Sequence, residues 1–200
     1  MGTDYVDLLQ FHDPDPKTPI EDSWRTVQEL VQKGKVRYPG LSNHSVGLLE
    51  RAMKIGPVVS SQVQYSPLER RMEREMMPFC LRNNIGVLGW ASLAEGFLAD
   101  NFSLESLDQK DFRRKHQNGQ PESYAKIVRV KEALSKVAKK RGKRILDLVI
   151  AWELMHQGLT GAIIGIRNET EAQEMLGGVG WKLDSEEIKA LDDALKVWER

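Results

Sequence analysis

The feature that most constrains this chain is an alternation. Five short apolar runs of strand length recur along its 200 residues: "YVDLLQFH", "KVRYPGLSN", "PVVSSQVQY", "IGVLGWASL" and "TGAIIG". Amphipathic stretches of helical period separate them. A strand that reaches the next strand through a helix pairs with it in parallel, and helices then cover the sheet. The chain is therefore read as α/β with parallel strands.

The punctuation supports these elements. In "DPDPKTPIEDSWRTVQELVQKG" Thr18 is placed to cap a helix, with Pro19 at its first position and Glu21 closing a capping box. Ile20, Trp24, Val27 and Val31 share one face, and Gly34 marks the stop. Ser45 opens a second helix, with Val46, Leu49 and Met53 on one side and Gly56 at its end. A methionine-rich helix follows in "MEREMMPFCLRNN", where Pro78 predicts a late start or a kink. Residues 99–123, "ADNFSLESLDQKDFRRKHQNGQPES", form a long polar loop of the kind that serves as a lid or stays poorly ordered. Beyond it a helix is expected from about Tyr124 to Arg141, stopped at Gly142, and then "ILDLVIAWELM", apolar on nearly every side and so buried. Asn168 is placed to cap "ETEAQEML", and a last helix turns Ile188, Leu191, Leu195 and Trp198 inward.

Composition narrows the class of protein. Apolar residues make up 40% and charged residues 29%, and Lys plus Arg equals Asp plus Glu at 29 each, so no net field points to nucleic acid or a membrane surface. A single cysteine, Cys80, precludes an internal disulfide and fits a reducing cytoplasm. No apolar run reaches membrane-spanning length. A cytoplasmic protein of one domain, with no nucleic-acid or membrane partner, is expected.

Pattern alone leaves two architectures, a doubly wound sheet and a β/α barrel. Neither G-x-G-x-x-G nor G-x-x-x-x-G-K-[ST] follows any strand, so the sheet-type nucleotide folds have no positive support. In a barrel, chemistry sits where strands end. Those ends carry His12, then Ser42 and Asn43, then Gln62, then Trp90 and Ser92, then Gly165 and Arg167. Hydrogen-bonding groups beside a stacking aromatic suit a planar amide-bearing ring, and the Gly165 turn with Arg167 suits a phosphate. Each residue also has an ordinary structural reading: a core histidine, a turn, a sheet-end amide, a packed indole, a solvated arginine. The recurrence at successive strand ends carries more weight than any one of them.

The segments "GTDYVDLLQFHDPDP", "GKVRYPGLSNHS", "SSQVQYSPLERR", "IGVLGWASLAEGFL" and "GIRNETEAQEMLGG" follow one another as in the aldo-keto reductases, and the resemblance covers essentially the whole chain. That family consists of (β/α)₈ barrel oxidoreductases that use NADP(H). The resemblance implies hydride transfer between NADPH and an aldehyde or ketone, with a small-molecule carbonyl as substrate and no metal. It assigns His12 to orienting the carbonyl oxygen. Ser42, Asn43 and Gln62 match residues that bond the nicotinamide carboxamide, and Trp90 matches the aromatic stacked under the ring. Ser92, Leu93 and Gly96 resemble the segment around the pyrophosphate. Gly165 and Arg167 resemble the 2′-phosphate site, with Glu171 nearby and Glu174 as an adenine contact. Met175 stands where the family usually has an asparagine, Glu171 brings a charge unfavourable to a phosphate, and Pro39 inside the second strand predicts a bulge.

The resemblance also implies a partial (β/α)₈ TIM barrel. Five strands correspond to strands four to eight, with the first three β/α units missing, so that residues 1–200 are the C-terminal portion of one barrel domain. In the family the missing strands supply the proton-donating tyrosine and the lysine and aspartate that tune it. The chain alone is then expected to be nearly inactive, since positioned proton donation contributes about 10²–10⁴-fold. Met1 is read as an internal residue of the family pattern or as the start of a shortened paralogue. Two other readings stay open: a non-catalytic NADPH-binding or regulatory module on this fold, and a structural fragment without a ligand.

Overall fold

A computed structural model describes residues 2–166 and 168–198. Five strands form one sheet in the order β1 (Val6–Phe11), β2 (Val36–Ser42), β3 (Ser60–Gln64), β4 (Gly86–Trp90) and β5 (Gly161–Ile163), and β1 to β4 pair in parallel. Strand order follows chain order, as helical crossovers between neighbours require. The chain divides into two compact units. One holds the chain up to Gln64, Arg70–Trp90 and Gln157–Gly161; the other holds Tyr65–Glu69, Ala91–His156 and the chain from Ala162 onward. No helix among the described residues is long and apolar enough to cross a membrane.

In the first unit the helices α1 (Ile20–Gln32), α2 (Val46–Met53) and α3 (Met76–Arg82) cover one face of the sheet. Ile20, Trp24, Val27, Leu41, Leu49, Val63 and Val87 are buried there. The start of α1 differs from expectation. Pro19 is the N-cap and gives no side-chain bond, while the Thr18 hydroxyl, one residue earlier, donates to Asp15 at 2.7 Å. Glu21 instead takes both arms of Arg51 on α2 at 2.7 Å, which holds its carboxyl down at about 2. At the other end Gly34, with φ +67°, donates to Val31, and Lys35 donates to Leu30, the paired bonds of a Schellman stop.

No bulge interrupts β2. Leu9 stays in register with Pro39, and the Pro39 carbonyl accepts from Val59 at 2.9 Å. A strand residue turns its N–H and C=O to the same neighbour, and β2 pairs with β3 only from Gly40↔Ser60 onward. The donor that proline lacks therefore falls before that ladder begins. Pro78 acts as expected, since α3 starts late, at Met76, after a 3₁₀ turn at Arg71–Glu73. The thiol of Cys80 is buried between β3 and α3, where it and the Ser61 hydroxyl both donate to the Met76 sulfur. Burial pushes this thiol up to about 11.

The second unit is built on α5 (Ile145–Met155), buried continuously from Ile145 to Glu153. The helices α4 (Pro121–Lys139) and α7 (Ser185–Leu195) pack together, and α5 packs on α4 and on the 3₁₀ turn Met175–Gly178. The helix capped by Asn168, α6 (Glu169–Glu174), is one and a half turns long. Asp184 caps α7 reciprocally with Glu187, and Arg141 bridges both carboxylates at 2.9 and 2.7 Å. The polar loop at residues 99–123 carries two 3₁₀ turns, Phe112–Arg114 and Gln117–Gly119.

A side chain has no room at Gly40, between Gln10 and Ser60. A Cβ there would lie 3.0 Å from the Ser60 carbonyl oxygen, 3.2 Å from Gln10 Cγ and inside contact distance of the Ser60 hydroxyl. Gly40→Ala is expected to destabilise the protein by about 1–3 kcal/mol, read as a lowered urea midpoint. An unchanged midpoint would mean that β2 and β3 do not meet as described.

Candidate active site

Parallel pairing brings the carboxyl ends of the strands to one edge of the sheet. Residues of even number share a face in β1 to β4. Gln10, Gly40, Ser60 and Gly86 form one row across it, and Ser42, Gln62 and Leu88 form the next. Trp90 stands two residues beyond Leu88 on that face, opposite Gln64. The sheet thus sets the Ser42 hydroxyl, the Gln62 amide and the Trp90 indole on one surface of the first unit.

Asn43 joins them together. It leaves β2 in the left-handed region, φ 60°, which asparagine tolerates better than most residues, and its amide N–H extends the ladder to the Gln62 carbonyl at 2.9 Å. Its side-chain carbonyl accepts from the Trp90 indole at 3.1 Å. Its NH₂ donates to Asp13 at 2.9 Å and to the His12 carbonyl at 3.3 Å. The end of β1 is therefore fastened to the ends of β2 and β4. The His12 imidazole is 82% exposed, and its Nδ1 lies 3.4 Å from Asp13. Gln62 is half-buried, and its side chain makes no hydrogen bond among the described residues.

Two further groups here were not legible as site residues. Asp13 is the partner that aims both His12 and Asn43. His44 is buried, and its Nδ1–H donates to the Ser42 carbonyl at 2.6 Å. Burial pulls its pKa down, against the Ser42 bond and the charge of Asp13. The neutral ring then presents Nε2 as an acceptor, and neither Nε2 nor the Ser42 hydroxyl has a partner. Placement directly after "SN" was the only signal for His44.

In the second unit, Ser92, Leu93 and Gly96 lie in a tight turn after β4. Ala91, Ala94, Glu95 and Gly96 all have positive φ, at 62°, 49°, 58° and 95°. Ser92 is buried, and its hydroxyl makes no well-formed bond. The polar loop closes on this turn: His116 Nε2 lies 3.4 Å from Glu95, and Arg113 stands against Gly96. Gly165 is exposed, and Arg167 lies outside the described residues. The Glu171 N–H is taken by the Asn168 cap. The Glu174 carboxylate pairs with Arg144 at 3.0 Å.

Glu153 was also missed, although a carboxylate inside "ILDLVIAWELM" is itself an anomaly. It is 0% exposed on α5, and neither oxygen has a hydrogen-bond partner. Burial raises its pKa to about 8; the adjacent Ser92 hydroxyl offsets part of this without reaching bond geometry.

The chain belongs to the aldo/keto reductase family, whose model matches residues 1–196. It is 32% identical to aldo-keto reductase YhdN of Bacillus subtilis over 198 residues, covering 98% of this chain and 60% of that protein. It is 31% identical to aldo-keto reductase yakc [NADP(+)] of Schizosaccharomyces pombe, covering 97% of this chain and 58% of the relative. Among solved structures, the glycerol dehydrogenase AKR11B4 of Gluconobacter oxydans superposes with a TM-score of 0.89 at 30% identity, over 96% of this chain and 59% of that one. The thermostable aldo-keto reductase Tm1743 in complex with epalrestat gives 0.73 at 29%, over 96% and 61%. The chain spans about 60% of the length of these relatives.

Because the Glu153 pKa is raised from about 4.5 in the unfolded chain, the folded state holds the extra proton between about pH 4.5 and 8. Its contribution to stability is complete below that window and is lost as pH rises through it, at about 1.4 kcal/mol per pH unit. Glu153→Gln should remove this slope, so that the difference in Tm between variant and wild type widens from pH 5 to pH 8. A constant difference would mean that Glu153 is ionised in the folded protein.

Proposed function

We propose that this chain supplies the cofactor-binding half of an NADP(H)-dependent aldo-keto reductase. It carries strands four to eight of a (β/α)₈ barrel, in which hydride passes between NADPH and an aldehyde or ketone. The observation that carries this reading is the Asn43 cluster, which fixes His12, Trp90 and Gln62 about one sheet edge in a chain of this family. Coverage of about 60% of the relatives' length supports the partial barrel. So does β1, the first strand in the order, where Leu8 and its register partner Tyr38 are both exposed. A cytoplasmic location is part of the reading and rests on the single reduced cysteine.

The residues fit the dinucleotide. The buried, unpartnered Ser42 hydroxyl and the unengaged Gln62 amide are hydrogen-bonding groups in want of a partner. The half-buried Trp90 offers an aromatic surface beside them. When bound, NADPH supplies the hydride. Asn43 reaches a carboxamide by exchanging one of its present bonds, and His12, exposed and held beside Asp13, orients the carbonyl oxygen. Ser92, Leu93 and Gly96 form the pyrophosphate turn. By the family resemblance, Gly165, Arg167 and Glu171 are assigned to the 2′-phosphate and Glu174 to the adenine.

The proton donor is the missing part. Of the four tyrosines, Tyr5 lies under Arg37, Tyr38 is exposed in mid-strand, Tyr65 is buried against Trp152, and the Tyr124 hydroxyl accepts from Leu104. That distribution favours near-inactivity of the chain alone. It is also the observation behind a second reading, a non-catalytic NADPH-binding module.

Titration with NADPH, followed by tryptophan fluorescence, is expected to give saturable quenching. Gln62→Ala should weaken it about tenfold, the worth of one hydrogen bond, with Tm unchanged. Absence of quenching at millimolar NADPH would overturn the cofactor role. Arg167→Ala should weaken NADPH binding more than NADH binding, and equal effects would remove Arg167 from the 2′-phosphate. Turnover without added barrel units would refute the missing-donor argument, while binding without turnover in a completed barrel would favour the module.

A further inference from the structure

Glu153 and Ser92 are two buried polar side chains that adjoin each other, and neither makes a well-formed hydrogen bond. A carboxylate at that depth is costly, and no cation among the described residues approaches it. A neutral carboxylic acid is different, because it both donates and accepts. Ser92 begins a turn in which Ala91, Ala94 and Glu95 occupy the left-handed region without being glycine. Such conformations persist only where the surroundings over-determine them.

The restraints on this turn can be named. Its own bonds run from Ala94 to Ala91, Gly96 to Leu93, Phe97 to Ala94 and Leu98 to Leu93. Phe97 is fully buried against Phe102 and His116, and His116 also meets Glu95. Ser92 also adjoins Glu153 of α5. The amides of Leu93 and Glu95 carry no intramolecular bond among the described residues.

We propose that Glu153 is a positioning residue, a buried carboxyl set against the Ser92 side chain that keeps the 91–96 turn in the form that receives the dinucleotide pyrophosphate. The proposal rests on the cofactor reading above and deepens it. It gives the anomalous carboxyl of α5 a purpose that packing does not, because leucine would fill the same space without the cost of burying a polar group.

The test sets binding against stability in the full chain. Glu153→Leu removes a buried polar group, so it should raise Tm while weakening NADPH binding at least tenfold. Glu153→Gln keeps a donor and an acceptor and should bind NADPH within about twofold of wild type. Ser92→Ala should weaken binding as Glu153→Leu does, and the double variant no further. Hydrogen exchange of amides 91–98 should quicken in Glu153→Leu before any cofactor is added. Wild-type binding and unchanged exchange in Glu153→Leu would overturn the proposal, as would wild-type binding in Ser92→Ala if the leucine variant does not fold. Failure of the wild-type chain itself to respond to NADPH would instead overturn the cofactor reading, and with it the ligand half of this inference.

Discussion

The register of β2 on β3, with Gly40 opposite Ser60, is the constraint on which the described site depends. Glycine leaves room for the Ser60 side chain at Gly40↔Ser60, and the pleat then sets Ser42 across from Gln62. A slip of one residue would turn that row to the helix-covered face, among Leu41, Val63 and Val87. The polar surface at the strand ends therefore results from register more than from loop conformation. Asn43 adds a cross-tie, binding three strand ends through one side chain.

Much of this was legible in the sequence, for identifiable reasons. Strand and helix order followed from periodicity, and the stops at Gly34 and Gly142 from glycine's tolerance of positive φ. Pro78 was readable because a missing N–H costs nothing in a first turn. Thr18 was misread because the helix begins one residue later than its cap signal implies, with Pro19 at the N-cap. Pro39 was misread because its effect depends on where the neighbouring strand begins, a property of another segment. His12, Asn43 and Trp90 were visible as strand-end residues, but the bonds among them bring together positions up to 78 residues apart.

Of the groups that escaped notice, His44 and Glu153 are buried, and Asp13 is exposed at the end of β1. Asp13, His44 and Glu153 are ordinary polar letters in sequence, and only the fold makes them exceptional. Surface charges follow a simpler rule: Arg51 with Glu21 and Arg141 with Asp184 and Glu187 are exposed or partly exposed pairs, screened by solvent. The same carboxyl chemistry is inexpensive there and demanding inside α5. Where a chain retains a demanding group without an evident partner, the group's neighbours are the place to look for its purpose.

The sequestered sulfur of Cys80 has a practical consequence. It is the chain's single thiol, wedged where α3 lies on β3, and it is held protonated. An alkylating reagent reacts only with exposed thiolate, so modification must wait for that helix to lift from the sheet. The pace of alkylation is then a clock for opening of the first unit, readable by mass spectrometry without introducing any label.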